Sequence, residues 1–243
     1  MLFMRLYLIR HGQSQNNALE NIRMRFQDPL LTPIGEQQAH LVADYLLTMP
    51  DTPVSPFTKP EPFNITQLYV SPMRRALQTA QPISYAFGLP MKIWVDVHEW
   101  GGMFLEDVDD DKLITGYTGM TRSQIEEHFP EAVCPDNVTQ NGWWDIAMGR
   151  ESVEHAVMRS IRVVLAIREH ANSDEHIAIV THGGFIDSFI KALLDQAPRL
   201  APDLFYLNYN TGVTRIDFNE KPDKLRITYL NRVDHLPHDL RTV

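Results

Sequence analysis

The stretch LYLIRHGQSQNN, Leu6 to Asn17, opens as an apolar run suited to a buried strand and passes directly into Arg10, His11 and Gly12. Arginine and histidine are costly at the tip of a buried strand unless something there needs them. The pattern returns in HIAIVTHGG, His176 to Gly184, again an apolar strand followed by histidine and glycine. In open α/β sheets, ligands bind beyond the carboxyl ends of the strands. Two such ends would bring His11 and His182 before one ligand. The glycines behind them would let the backbone approach closely and turn its N–H groups inward.

Working outward, Leu2 to Ile9 reads as the first strand. Thr32 to Leu47 reads as a helix with Thr32 as N-cap and Pro33 at N1, its apolar positions at 39, 42, 43 and 46. Pro50 to Phe63 holds five prolines and reads as a surface loop. Gln67 to Val70 is a short strand, Met73 to Phe87 a helix, and Met91 to Val97 a third strand. From His98 to Arg150 periodicity fades apart from a helix over Thr121 to His128. Ser152 to Ala171 is an amphipathic helix with Val153, Val157, Ile161, Val164, Leu165 and Arg168 along one stripe. After the second histidine strand come a helix from Ile186 to Leu194 and two strands, Phe205 to Phe218 and Leu225 to Leu230. NEKPDK joins these last two as an antiparallel hairpin. Strands alternating with helices predict a three-layer α/β/α fold with a mainly parallel central sheet. The expected organisation is one domain over 1–243 with an irregular, cap-like insertion at about 98–150.

The charge of the predicted site is anionophilic. Arg10 sits at the first strand tip, and SPMRRALQTA places Arg74 and Arg75 at a helix amino terminus, where anions are already favoured. Guanidinium forks match phosphate oxygens and stay charged. Two arginines, two histidines and a helix end describe a receptor for a dianionic phosphoryl group that requires no metal or cofactor. The whole chain carries a net charge of −9, which disfavours nucleic acid and anionic membranes as partners but not a small anion held by local arginines. Cys134 is the only cysteine, so no intrachain disulfide and no cysteine metal cluster are expected. The first residues are too short and too interrupted by Arg5 for a signal peptide. No run approaches the ~20 apolar residues of a membrane span. A cytoplasmic location is the expectation.

The motifs together resemble the histidine phosphatase superfamily, which includes the cofactor-dependent phosphoglycerate mutases. RHGQSQNN at 10–17 is similar to that family's R-H-G-[EQ]-[ST]-x-x-N signature, and DPLLTPIGEQQA at 28–39 to its L-T-x-x-G-x-x-Q-A segment. SPMRRALQTA at 71–80 is similar to S-P-x-x-R-A-x-Q-T-A, VTHGG at 180–184 to the second histidine element, and LNRVDHL to the usual chain end. The resemblance implies that His11 is the nucleophile, that Arg10, Arg75 and His182 bind the phosphoryl oxygens, and that Asn17 and Gly183 complete the phosphate pocket. Glu99, after the third strand, matches the family's acid, which protonates the leaving oxygen. The mutase branch continues from that glutamate with R-x-Y-G, whereas this chain continues WGGMF. The many phosphatase relatives with E-x-x-x-G-x-x-E-G are matched only loosely by EWGGMFLED.

The leading expectation is therefore a metal-independent phosphatase of a small phosphorylated metabolite, working through a phosphohistidine. A cofactor-dependent phosphoglycerate mutase and a catalytically silent phosphoryl-binding module are the alternatives. Ser14 and Ser71 have no triad pattern, and neither G-x-x-x-x-G-K-[ST] nor G-x-G-x-x-G occurs. Arg23, Arg25 and Arg74 read as exposed or outer-rim charge, His98 as packing, and Glu106 to Asp111 as a solvated loop. Trp143 and Trp144 admit two placements, core or wall of the leaving-group site. An exposed edge strand would allow a homodimer.

Overall fold

The computed structural model describes residues 4–51, 61–107, 109–110, 112–196, 204–218 and 225–243. Leu2 at the expected start of the first strand, most of the proline-rich loop, Val108 and Asp111 of the acidic run, and the NEKPDK connection lie outside the described residues. Strand β1 (Met4–Arg10) is followed by helix α1 (Pro33–Thr48) and a two-residue ladder, β2 (Pro50–Asp51) with β3 (Glu61–Pro62). Then come β4 (Gln67–Val70), α2 (Arg74–Phe87) and β5 (Met91–Ile93). The 98–150 segment carries a small hairpin, β6 (Phe104–Glu106) with β7 (Ile114–Gly116), then α3 (Arg122–His128) and β8 (Ala132–Val133). The chain finishes with α4 (Val153–Glu169), β9 (His176–Thr181), α5 (Gly183–Leu193), β10 (Val213–Phe218) and β11 (Leu225–Arg232).

Seven strands form one sheet in the order β11-β10-β1-β9-β4-β5-β8. Pairing is parallel from β1 to β8 and antiparallel between β1 and β10 and between β10 and β11. Because β1 lies inside this sheet with helices on both sides, its apolar run is buried on both faces. Met4, Leu6 and Leu8 enter the core beneath α4 and α5, while Tyr7 and Ile9 enter the core beneath α1 and α2. This is the α/β/α arrangement that the strand–helix alternation predicts. Among the described residues, no helix is long and apolar enough to cross a membrane.

Local signals set several boundaries. Thr32 accepts a hydrogen bond from the Gly35 N–H with Pro33 at N1, and Thr121 and Gln124 form a reciprocal capping box that starts α3. Four expectations are corrected. The third strand stops at Ile93, and Val95–Val97 forms a 3₁₀ turn that carries the chain across the strand ends. The strand expected from Phe205 begins only at Val213, because Asn208 O, Asn210 Nδ2 and Thr211 N–H bond to the end of β1 instead of to a ladder. Helix α5 begins at Gly183, directly after the histidine, not at Ile186. The buried stripe of α4 is Ala156, Arg159, Ser160, Val163, Val164 and Ile167, with Leu165 58% exposed. That rotation buries Arg159 as an ion pair, which no hydrophobic count would anticipate. The 98–150 segment returns a strand to the sheet, since β8 forms its edge beside β5.

Candidate active site

Three parallel strands end side by side. His11 N–H donates to Thr181 O (2.8 Å) and Ser71 N–H to Val180 O (3.1 Å), so the residues just beyond β1, β4 and β9 share one level. The His11 and His182 rings meet there with centroids 5.1 Å apart, both buried. The two histidine strand tips thus converge as their sequence pattern predicts.

His11 is held by its own loop. Nδ1–H donates to Gly12 O at 2.6 Å, which fixes the tautomer and leaves the Nε2 lone pair as an acceptor. That lone pair accepts from Arg75 Nε–H at 3.1 Å. Burial, followed by the charges of Arg75 and Arg10, pushes His11 well below the ordinary histidine range, so the ring is neutral near pH 7. A Cβ on Gly12 would lie 2.5 Å from Gly35 O, so only glycine lets this loop rest on the start of α1. Gly12 N–H donates to Thr79 Oγ1 (3.0 Å), which in turn donates to Arg75 O (2.7 Å), tying nucleophile and arginine together.

The cationic groups are buried and stand in no direct ion pair among the described residues. Arg10 donates through Nη1 to Asn208 O at 2.5 Å, and its Nε has no partner among the described residues. Burial lowers Arg10 to about 10, with Glu99 raising it and Arg75 lowering it further. Arg75 is likewise lowered, first by burial, against the opposing charges of Asp28 and Glu99. His182 Nε2 meets Ser71 Oγ at 2.7 Å while its Nδ1 has no described partner. Among the described residues, nothing orients that nitrogen as the third member of a serine triad would. Asn17 Oδ1 accepts from the Ser14 backbone N–H (3.1 Å) and from Asn210 Nδ2 (3.4 Å), bracing the loop. A side chain at Gly183 would approach Arg10 Nε to 3.3 Å.

Glu99 completes the ring of groups from the far side. Its Oε1 accepts from the Trp100 (2.8 Å) and Phe185 (3.0 Å) N–H groups and its Oε2 from Gly184 N–H (3.3 Å), at the amino end of α5. A Cβ at Gly184 would fall 2.7 Å from that Oε1, so glycine makes room for the carboxylate. The chain leading into Glu99 is pinned by Arg159, whose Nη1 donates to Asp96 O (2.8 Å) and His98 O (3.0 Å). Arg159 also forms a buried fork with Glu151, at 2.8 and 2.6 Å, and Glu151 N–H donates to Gly101 O at 2.8 Å.

All seven residues singled out from the sequence therefore lie at or around the strand ends. The sequence reading missed Thr79, Asn208, Asn210, Glu151 and Arg159. Asn210 Nδ2 donates to His11 O (3.0 Å) and Asn208 acts through its carbonyl, which carries no side-chain signature. Trp143 and Trp144 resolve to core, packed on His98 with ring centroids 5.4 and 5.1 Å away. Arg74 turns from the floor, its backbone N–H on Asp28 Oδ1 (3.1 Å) and its Nε on Met120 Sδ (3.4 Å). Arg23 and Arg25 are exposed, as expected, yet they also line a cavity shared with Asn17.

Known proteins resemble this chain in sequence and in fold. The profile of the histidine phosphatase superfamily (branch 1) matches residues 6–231. The proteins named "Probable phosphoglycerate mutase GpmB" in Enterobacter sp. (strain 638) and Yersinia pestis (strain Pestoides F) are 26% and 28% identical over 219 residues, covering 90% of this chain and 87% of theirs. The mycobacterial glucosyl-3-phosphoglycerate phosphatase has a similar structure, with a TM-score of 0.58 at 21% identity over 95% of this chain and 100% of that one. A phosphoserine phosphatase mutant from Entamoeba histolytica in complex with phosphoserine gives 0.59 at 24% identity over 96% and 100%.

Proposed function

The chain belongs to the histidine phosphatase superfamily as a phosphoglycerate mutase-like phosphatase, and from that premise we propose that it hydrolyses a small phosphorylated metabolite through a phosphohistidine at His11. The observation that carries this reading is the His11 ring, neutral and buried, with Nε2 unprotonated and facing Arg75. The Nε2 lone pair attacks phosphorus in line. An N–P bond forms, the ester P–O bond breaks, and Glu99, entering this step as the carboxylic acid, gives its proton to the departing alkoxide. Water then attacks the phosphohistidine, Glu99 takes the water proton, and the N–P pair returns to His11 as phosphate forms.

Arg10, Arg75, His182 and Asn17 face the equatorial oxygens, where charge accumulates in the transition state. A phosphoryl dianion supplies the direct ion pair that neither buried guanidinium has among the described residues, Asp28 and Glu99 acting on them only at longer range. Arg75 must then exchange its bond to Nε2 for bonds to phosphoryl oxygens, which frees the nucleophile as substrate arrives. The reading needs no metal or other cofactor, and it takes residues 98–150 as a cap that supports the acid from Glu99 onward.

Mutase activity is the second reading, supported by the names of the curated relatives. Against it stands the turn after Glu99, where Gly101 (φ +89°) and Gly102 (φ +74°) fold the chain under Trp144 in place of an R-x-Y-G stretch. Purified protein assayed with p-nitrophenyl phosphate in excess EDTA should release phosphate, with vanadate as inhibitor. No release from this or any small ester, or loss of turnover to the chelator, overturns the reading. Isomerisation of 3-phosphoglycerate faster than its hydrolysis would select the mutase.

A further inference from the structure

Every backbone carbonyl from Val95 to His98, the stretch that delivers Glu99, is engaged. Val95 O accepts from the His98 ring Nδ1–H at 2.6 Å, and Val97 O accepts from Thr181 Oγ1–H at 2.6 Å, one residue before His182. Asp96 O and His98 O both go to a single atom, Arg159 Nη1. The arm that carries the acid is thus fastened to the second histidine strand and to a guanidinium on helix α4.

The partner of that guanidinium holds the chain beyond the acid. Arg159 Nε and Nη2 fork onto Glu151 Oε1 and Oε2, and both side chains are buried. Glu151 N–H donates to Gly101 O at 2.8 Å, and Gly101 N–H reaches Glu151 Oε2 at 3.4 Å. Arg159 therefore grips the residues before Glu99, and Glu151 grips the turn after it. Arg159 also stands 5.4 Å from the Phe185 ring centroid, and Phe185 N–H is a donor to the Glu99 carboxylate.

Buried guanidinium–carboxylate pairs are often no more stabilising than apolar side chains of similar volume. Stability alone therefore gives no reason for the charges. What only the pair supplies is two N–H donations to carbonyls beside the acid and a fixed seat for the backbone that holds Gly101. Among the described residues no hydrogen bond joins it to Arg10, His11, Arg75 or His182, so it lies behind the acid and outside the phosphoryl-binding ring.

We propose that Arg159, paired with Glu151, is a positioning residue for proton transfer, fixing the Glu99 carboxyl against the leaving oxygen without touching substrate. This inference rests on the phosphatase reading with Glu99 as its acid. A general acid works only within hydrogen-bond reach of the atom that it protonates. Misplacement by about 1 Å costs up to roughly 100-fold. That cost falls on esters whose alcohol needs a proton to leave. p-Nitrophenolate departs as a stable anion, whereas benzyl alkoxide does not.

The test compares kcat/KM for p-nitrophenyl phosphate and benzyl phosphate, since this constant covers every step through departure of the alcohol. Glu99→Gln, which has no acid, should raise the nitrophenyl-to-benzyl ratio by roughly 100-fold. Arg159→Lys keeps a charge opposite Glu151 but has one nitrogen in place of the three that Arg159 uses. It should raise the ratio by about tenfold or more. Arg159→Met/Glu151→Met exchanges the pair for apolar volume and should raise it likewise, which keeps the test open even if Arg159→Lys fails to fold. In the Glu99→Gln background Arg159→Lys should add nothing, because no acid is left to place. A ratio is unmoved by the fraction of protein that folds, so a purely structural role leaves it at the wild-type value. That result, or a further rise in the Glu99→Gln background, overturns this inference and leaves the phosphatase reading standing. An unmoved ratio in Glu99→Gln overturns the acid assignment with it, and no turnover of either ester by the wild type overturns the phosphatase reading as a whole.

Discussion

Strand β1 threads two buried polar clusters only a few residues apart, and they are opposites. Around Tyr7, the buried carboxylates and guanidiniums are paired with one another. Asp51 accepts from Tyr7 Oη–H (2.6 Å), Tyr229 Oη–H (3.0 Å) and Arg215 Nη1 (2.7 Å), while Asp217 takes the other side of the Arg215 fork at 2.6 and 3.0 Å. Although burial pulls Arg215 down, its carboxylate partners hold it above the ordinary arginine value. At the carboxyl end of the same strand, Arg10 and Arg75 are lowered, and Arg10 Nε and His182 Nδ1 have no described partner. The protein can evidently satisfy a buried arginine on this sheet when the structure alone is at stake. Leaving two guanidiniums without a direct ion pair at the strand ends reserves them for an anion from outside.

The contrast can be broken first at its paired side. Arg215→Met removes the guanidinium and leaves Asp51 buried with one fewer partner, so unfolding free energy should drop by about 3–5 kcal/mol in urea titrations. Turnover per folded molecule should persist. A loss below 1 kcal/mol would mean that Asp51 is not held as described.

The matching change at the reserved side should act the other way round. Arg75→Met should cut kcat/KM for simple phosphomonoesters by roughly 10²–10³, about 3–4 kcal/mol of transition-state stabilisation, as for loss of one charged donor. Because it removes a buried charge that stands in no direct ion pair, and Asp28 keeps its bond from Arg74 N–H, the urea midpoint should stay level or rise. A variant that loses stability and retains turnover would reverse the two clusters' roles.

How much of this was legible in the sequence follows from what each residue does. His11, Arg10, Arg75 and His182 were readable because polar residues interrupt apolar runs at strand tips, and a tip has a defined place in an α/β sheet. Thr32 with Pro33, and Thr121 with Gln124, were readable because capping is local. The Asn208–Thr211 hook was not, since it works through backbone carbonyls and amides reached only after nearly two hundred intervening residues. Arg159 was hidden by its charge, which reads as solvent-facing until Glu151 is found opposite. Arg25 was read as exposed, which it is, but its cavity exists only once the 98–150 segment folds across from it.

The smallest effect is on pH. His11, His98 and His182 all lie well below the ordinary histidine range, through burial first and neighbouring arginine charge second. Below about pH 6.5 the unfolded chain takes up protons that the folded protein refuses, so their contribution to stability is complete above that value and is lost as pH falls. Between pH 7 and 6 each histidine should cost about 0.7 kcal/mol. Urea midpoints should therefore decline over that interval, and a rise on acidification would show these rings to be protonated in the fold.

The central claim, that the His11 ring takes the phosphoryl group, is tested most directly by trapping it. Brief reaction with a radiolabelled phosphomonoester, followed by alkaline denaturation and peptide mapping, should yield an acid-labile, alkali-stable phosphoryl group on the peptide containing His11, absent from His11→Ala. A label on any other residue, or a His11→Ala protein that still turns over, would contradict the account.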